Sequence, residues 1–516
     1  MNKVLHMLAV AFAVLTAPFG FAQDLISISE TGPRGQRVNF VIVAEGYTSS
    51  QLSDFERDAR AVFESMFSEE PFLRYQPLFN LYALPVASAE SGADEPDVEP
   101  PVEVDTAFDA TYNAYGIGRL LVIHYSKVRE AVMEEVPEYD IVLVLVNSPR
   151  FGGSGGQFAT ASIAPASINI AAHEIGHSFG GLTDEYSDPD GSPKEAPNAT
   201  AETSRDHIKW RLWFADDTPI PTVDAGQYQN AVGLFEGAVY REKDWYRPHR
   251  RSKMRTLGRP WGQVNSEHLI KRIYRDISPF FGTDPGYSSL NFTGKGDVVI
   301  TLENLKEPGG EPLPVEWRIG DEIVEDQVGA TFTRTLHDFG VGQFEVTATV
   351  IDNTDMVRSD PTQRLQSVAS WTVDVSNLDL IFTDWLAAAF PEGADPGGVT
   401  GDPDADGWQN VIEYALAADP AEADSREKFA LTNSGEGMVL DFVIDPRRTD
   451  AMLVIESSDD LVVWEEIARS DNGGAFSGSV IVEESVLDDG KVRCRMGLDG
   501  DVRFVRASAE ILVEIE

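Results

Sequence analysis

Two histidines four residues apart, His173 and His177, enclose Glu174 in the string His-Glu-Ile-Gly-His, and this spacing can do hydrolytic chemistry. On a helix, positions i and i+4 share a face, so both imidazoles can reach one tetrahedral Zn²⁺. Glu174, one step along, is then placed to take a proton from a water activated there. Taken alone, the string also fits two core histidines satisfied by backbone carbonyls beside a surface carboxylate.

The residues that follow favour the metal. Gly180 and Gly181 let the chain reverse, whereas on a continuing helix Asp184 would lie about 16 Å from His173, at 1.5 Å per residue, and could not share an ion. A hydrolytic zinc site needs three protein ligands and one open position, and a carboxylate is an acceptable third. Asp184 is the first choice, Glu185 the rival and Glu236 a more distant candidate. Downstream, Tyr246 is a phenol able to donate to a developing oxyanion, and Met254, in Ser-Lys-Met-Arg-Thr, is an apolar floor for the site.

These elements need a scaffold. Arg37 to Ala44, Phe79 to Val86 and Asp140 to Asn147 read as strands, the last almost wholly apolar as in a sheet covered on both faces. Leu52, Phe55, Ala59, Val62, Phe63 and Met66 recur at helical spacing. Strands alternating with helices indicate an α/β sheet. The motif helix is predicted to start at Ser167 as N-cap and to stop at Gly180. Phe151 to Gly156 is too glycine-rich to hold a fixed conformation through its own side chains, and it lacks the Lys-Ser/Thr ending of a phosphate loop.

The string HEIGHSFGGLTDEY, with VNFVIVAEGYT before it, YDIVLVLVNSPRFGGSGG between, and GLFEGAVYREKDWYRP and SKMRTLG after it, resembles the IgA-peptidase-type metallopeptidases, the igalysins, over roughly residues 30 to 280. The resemblance implies a metzincin-class zinc endopeptidase: a twisted sheet over the active-site helix and a Met-turn. It carries His173 and His177 over as zinc ligands, Glu174 as general base and Met254 as the Met-turn residue. The sequence departs from the usual metzincin string in having Thr183 where the third ligand stands, with the acidic residue one position later.

A second metal signature is Asp402-Pro-Asp404-Ala-Asp406-Gly407-Trp408, ending in Glu413. Carboxylates at the first, third and fifth positions, the Trp408 carbonyl at the seventh and a bidentate glutamate at the twelfth suit one Ca²⁺. This resembles dockerin-type calcium loops and reads as a rigid joint between modules.

The expected architecture is multidomain. Residues 1–22, an apolar run behind Lys3 ending in Gly20-Phe21-Ala22, form a signal peptide. An α/β metzincin-like catalytic domain spans 23–284 and an all-β Ig/PKD-like sandwich 285–378. A helix and calcium-loop linker follows at 379–428, then a small C-terminal β-module at 429–516. With 41 basic against 85 acidic residues the net charge is −44, which excludes nucleic acid as a partner. No internal disulfide can form, because Cys494 is the sole cysteine, expected to be buried in a strand. No segment after residue 22 is a membrane span.

The function expected is a secreted or cell-envelope bacterial zinc endopeptidase acting on protein or peptide substrates, including glycoproteins, with Zn²⁺ and Ca²⁺ bound. The alternatives are an inactive peptidase-like adhesin or glycan-binding protein, and a zinc amidase or glycopeptidase. Substrate identity and oligomeric state leave no mark in the sequence.

Overall fold

The computed structural model describes residues 24–512 except 166, 188–192, 391–393, 424–427, 436, 499–501 and 503, with only the backbone of Ser167 and Ile168. The expected signal peptide and the capping side chain of Ser167 therefore lie outside the described residues.

The first half of the chain builds a sheet of six strands. Its elements are β1 (Ile26–Ser29), β2 (Val38–Glu45), α1 (Leu52–Met66), α2 (Phe72–Tyr75), β3 (Phe79–Leu84), α3 (Tyr125–Glu135), β4 (Ile141–Val146), β5 (Gly153–Ser154), β6 (Ala159–Ser162) and α4 (Ser167–Ser178). The hairpin β7 (Val232–Ala238) and β8 (Arg241–His249) and the helix α5 (Gln263–Asp276) follow. Strand order is β1-β3-β2-β4-β6-β5, with β3, β2, β4 and β6 mutually parallel and both edge strands antiparallel to their neighbours.

Every residue of β2 and β4 is buried, as the apolar runs require, because helices cover both faces. Alternation along the strands decides which residue meets which layer. Phe40 and Ile42 face α1, α4 and α5, where Phe55, Phe63, Ile175 and Leu269 complete one core. Val41 and Val43 face the other way, toward Val128 and Val132 of α3 and Tyr112 of the long β3–α3 connection. Buried Glu45, at the end of β2, anchors that connection by accepting from Thr106 Oγ1 at 2.6 Å and from the amides of Phe108 and Ala110, each at 2.9 Å.

The glycine-rich segment is not loose. It holds edge strand β5, paired with β6. A Cβ on Gly153 would fall 2.5 Å from Ile170 Cγ2, and one on Gly155 would fall 2.9 Å from Glu174 Oε2. Close approach to α4, not flexibility, explains these glycines.

Next come β9 (Thr283–Asp284), β10 (Ser289–Gly294), β11 (Asp297–Leu302), β12 (Val315–Ile319), β13 (Glu322–Ile323), β14 (Thr331–Thr335), α6 (Leu336–Phe339), β15 (Gly342–Ile351) and β16 (Gln366–Leu378). A five-stranded and a three-stranded sheet share one core, in which Trp317 lies 5.2 Å from Phe332 and 5.9 Å from Trp371 between ring centroids. Two short helices, α7 (Phe382–Ala389) and α8 (Asn410–Ala415), lead to two further four-stranded sheets around Leu440, Phe442, Ile455 and Met496. Cys494 is buried among these strands, and burial lifts its thiol to about 12.

The β15–β16 connection reaches back into the first half of the chain. Leu365 joins the α/β core, and the Asp352 carboxylate accepts hydrogen bonds from Tyr75 at 2.6 Å and Tyr274 at 2.9 Å. All three side chains are buried, so losing the shared acceptor leaves two phenols unsatisfied. Asp352→Ala should therefore destabilise the protein by about 2–4 kcal/mol, and Asp352→Asn, which keeps an acceptor, by less. Thermal unfolding of the full chain is the check; an unchanged midpoint in Asp352→Ala would show that this contact contributes nothing.

Candidate active site

Helix α4 turns its apolar residues Ala171 and Ile175 into the core and its histidines outward, as a four-residue spacing demands. The two imidazoles meet edge to face with centroids 4.7 Å apart. Gly181 ends the helix with φ +61°. A Cβ on Gly180 would fall 2.5 Å from the Gly176 carbonyl, so the reversal needs both glycines. The returning chain is tied down at once, Leu182 N–H donating to Gly176 O at 2.9 Å.

Three residues beyond Gly181, Asp184 Oδ1 stands 3.0 Å from His173 Nε2 and 3.4 Å from His177 Nε2, and the two Nε2 atoms are 3.1 Å apart. His173, His177 and Asp184 form a metal-type cluster, and Asp184 is 4 % exposed. Glu185 faces the opposite side of the chain and is wholly buried. It accepts from Ser252 Oγ at 2.6 Å, Asn265 Nδ2 at 2.9 Å and Asn198 Nδ2 at 3.0 Å, so its carboxylate belongs to the packing beneath the site. Glu236 is exposed on β7, where it accepts from the Asp244 amide. Thr183 is bracketed by Asn198, which bonds both its N–H and its carbonyl.

The ring orientations identify what belongs between these groups. His173 Nδ1 faces the Lys253 carbonyl at 3.0 Å, and His177 Nδ1 faces the Leu182 carbonyl at 2.8 Å. A carbonyl oxygen only accepts, so each Nδ1 carries the proton and each Nε2 turns a lone pair inward. Two lone pairs and a carboxylate oxygen converging within hydrogen-bond distance repel one another unless a cation lies among them. With no metal a proton takes that part. Burial disfavours charge on His177, but the hydrogen bond and charge of Asp184 outweigh it and lift the imidazole to about 9. Burial likewise opposes charge on Asp184, yet its two histidine partners hold it far below the ordinary carboxylate range.

Glu174 points from the same helix into a cleft of about 970 Å³ whose walls include Ile117, Arg119, Leu120 and Phe151. Burial raises its carboxyl above the usual range, partly offset by the two histidines. Beneath α4, Met254 is fully buried. A Cβ on Gly176 would fall 2.6 Å from its Sδ. The turn around Met254 also holds the site through its backbone: Lys253 O accepts from His173 Nδ1–H at 3.0 Å, and Met254 O accepts from Glu185 N–H at 2.9 Å.

Residues 26–225 match the family model described as IgA Peptidase M64. This segment belongs to that peptidase family. No curated protein matches the chain. The peptidase segment so matched carries the two histidines, Glu174, Asp184 and Glu185, and it ends before Tyr240 and Met254, which the following hairpin and turn bring to it.

Tyr240 is the residue that sequence reasoning missed. Its hydroxyl donates to Asp184 Oδ2, the oxygen that faces away from the histidines. It sits with Val239 at the tip of β7–β8, both with left-handed backbone, φ +64° and +52°. A β-branched residue there is costly, about 1–3 kcal/mol, and is held by Val239 N–H to Asp184 O at 3.0 Å and Tyr240 N–H to Tyr186 O at 3.1 Å. Tyr246, the phenol expected at the site, lies six residues along β8, roughly 20 Å of extended chain away. It packs with Trp210, Leu234 and Val264 and lines no part of the cleft. The only signal for Tyr240 was its place between two strand-like runs.

In the calcium-type loop, the carboxylates of Asp402, Asp404 and Asp406 converge to within 4.8 Å of one another, around Gly407 at φ +97°. Asp404 is raised by burial and by its acidic neighbours. The cluster comprises these three. Glu413 is fully buried on α8, and Trp408 donates its amide to Asp406 Oδ1 at 2.9 Å.

Tyr240→Phe removes the bond that orients Asp184 and should weaken divalent-metal affinity roughly 10–100-fold, while Tyr246→Phe leaves it unchanged. Competition against a chelator measures both. Equal affinities for the two variants would remove Tyr240 from the site.

Proposed function

We propose that the chain is a secreted zinc-dependent endopeptidase with a metzincin-like catalytic domain. The observation that carries this reading is the convergence of His173 Nε2, His177 Nε2 and Asp184 Oδ1 beside Glu174 in an open cleft. Two neutral imidazoles and one carboxylate suit zinc and leave it one open position, the requirement for hydrolysis. Bound there, zinc supplies a Lewis acid that polarises the scissile carbonyl and lowers the pKa of water.

The remaining work falls to the chain's own groups. Glu174, raised by its burial, accepts a proton from the attacking water and returns it to the departing amine nitrogen. The carbonyls of Lys253 and Leu182 keep both imidazoles in the Nδ1–H form. Tyr240 fixes the Asp184 carboxylate from its outer oxygen. Ile117, Leu120 and Phe151 offer apolar contacts to a peptide in the cleft. Met254 beneath Gly176 supports the metzincin-like reading.

Secretion rests on the character of residues 1–22, and no described helix is long and apolar enough to cross a membrane. The Ig/PKD-like sandwich and the C-terminal module are accessory to the catalytic half. Ca²⁺ at Asp402, Asp404 and Asp406, with Glu413, stiffens the joint before the last module. Calcium should therefore raise the unfolding temperature of the full chain without changing peptidase activity, and differential scanning calorimetry with and without a calcium-selective chelator reads this directly.

Glu174→Gln keeps the size and polarity of the side chain but removes the base. It should retain zinc at wild-type stoichiometry and lower casein cleavage about 10²–10⁴-fold. Wild-type cleavage by this variant, or wild-type protein purified without zinc and unable to bind it, would sink the proposal.

A further inference from the structure

Where the α/β half meets the sandwich, a second cavity of about 410 Å³ opens, well away from the metal cluster in sequence and lining. Gln36, Arg275, Ser278, Lys306, Arg364 and Ser367 are among its walls. Lys306 belongs to the β11–β12 connection. Its backbone is fixed on both sides, N–H to Pro279 O and carbonyl to Leu313 N–H, each at 2.9 Å. The side chain is 1 % exposed, and Nζ has no hydrogen-bond acceptor. Gln36 Oε1, on the same cavity, is likewise buried without a donor.

Two opposite hydrogen-bonding needs thus meet in one space. Burial and the neighbouring Arg37 guanidinium lower the Lys306 ammonium to about 8, which leaves it charged at neutral pH. A buried cation without a counter-charge is strongly unfavourable. The surroundings supply none. Three lining residues are cationic (Arg275, Lys306 and Arg364) and one is acidic, Asp276, which is paired with Arg275 at 2.6 Å. In a chain of net charge −44 this cationic pocket runs against the overall balance.

A bridging water would satisfy hydrogen bonds but not charge. A carboxylate would satisfy Lys306 but offers no proton to Gln36. Hydrogen phosphate does both, with unprotonated oxygens to accept and one hydroxyl to donate. We propose that this junction is a binding site for hydrogen phosphate, in which Lys306 Nζ donates to a phosphoryl oxygen and the phosphate hydroxyl donates to Gln36 Oε1. Because the pocket is walled by the end of α5, by the loop before β2 and by the sandwich, its occupant ties the two halves of the molecule together.

The test is thermal unfolding of the full chain at pH 7, with phosphate exchanged for chloride at constant ionic strength. Saturating phosphate should raise the midpoint by an amount on the order of 5 °C. Sulfate, which has no proton to give at this pH, should raise it less. Lys306→Met removes the buried charge and should unfold normally with no response to phosphate. Gln36→Glu provides an internal counter-charge and should be stabilised in chloride alone, again with the response lost. Equilibrium dialysis with labelled phosphate should give one site in the wild type and none in either variant. Absence of a phosphate-specific shift in the wild type, an equal shift with sulfate, or a retained shift in the two variants would overturn the proposal. None of these readouts depends on the metal site or on peptidase activity.

Discussion

The candidate active site depends on one change of direction. Helix α4 ends at Ser178, and Gly180 and Gly181 send the chain back along the helix, so that a carboxylate three residues beyond Gly181 reaches the same point as the two imidazoles. The physical constraint is steric. At Gly180 a side chain would strike the helix's own carbonyl, and at Gly181 the backbone is left-handed. Every other supporting contact is arranged around the loop that this reversal creates.

That loop divides two adjacent acids between two tasks. In an extended stretch neighbouring side chains point to opposite sides. Asp184 therefore faces the histidines, and Glu185 faces inward to Ser252, Asn198 and Asn265. Through Glu185 the loop is bonded to the turn containing Met254 and to α5, and through Lys253 O the same turn orients His173. The hairpin tip adds Tyr240 from outside, in a strained conformation paid for by two backbone bonds to the loop. Contacts of this kind hold the cluster of His173, His177 and Asp184 in a fixed arrangement, as outer partners do for ligand sets.

The accessory parts are not strung loosely behind the peptidase segment. Asp352, Leu365 and the surrounding connection of the sandwich enter the α/β half, where Tyr75 and Tyr274 share one buried acceptor. Lys306 and Gln36 stand at the same junction from its other side. The buried Asp352, Tyr75 and Tyr274 make the relative position of the two halves specific, because a displaced junction would strand a carboxylate and two phenols without partners.

Much was legible in the chain. Apolar strand-like runs and helical spacing placed β2, β4 and α1 within a residue or two, and the run from Phe79 to Val86 became β3. His173 and His177, with Glu174 between them, could be named because a helix converts a spacing of four into one face, whereas Met254 was named from its turn-like string and the family resemblance. This is local geometry, and local geometry is written in sequence. The choice between Asp184 and Glu185, the entry of Tyr240 in place of Tyr246, and the conversion of a glycine-rich stretch into an edge strand were not. They turn on which surfaces meet once the chain has folded, over separations from 8 residues between Gly153 and Ala161 to 56 between Asp184 and Tyr240, and one residue of register decides which side a side chain faces. Residue types and spacings thus determined the chemistry available to this protein. Tertiary packing alone decided which carboxylate and which phenol stand beside the two histidines, because those groups arrive through contacts that no local pattern encodes.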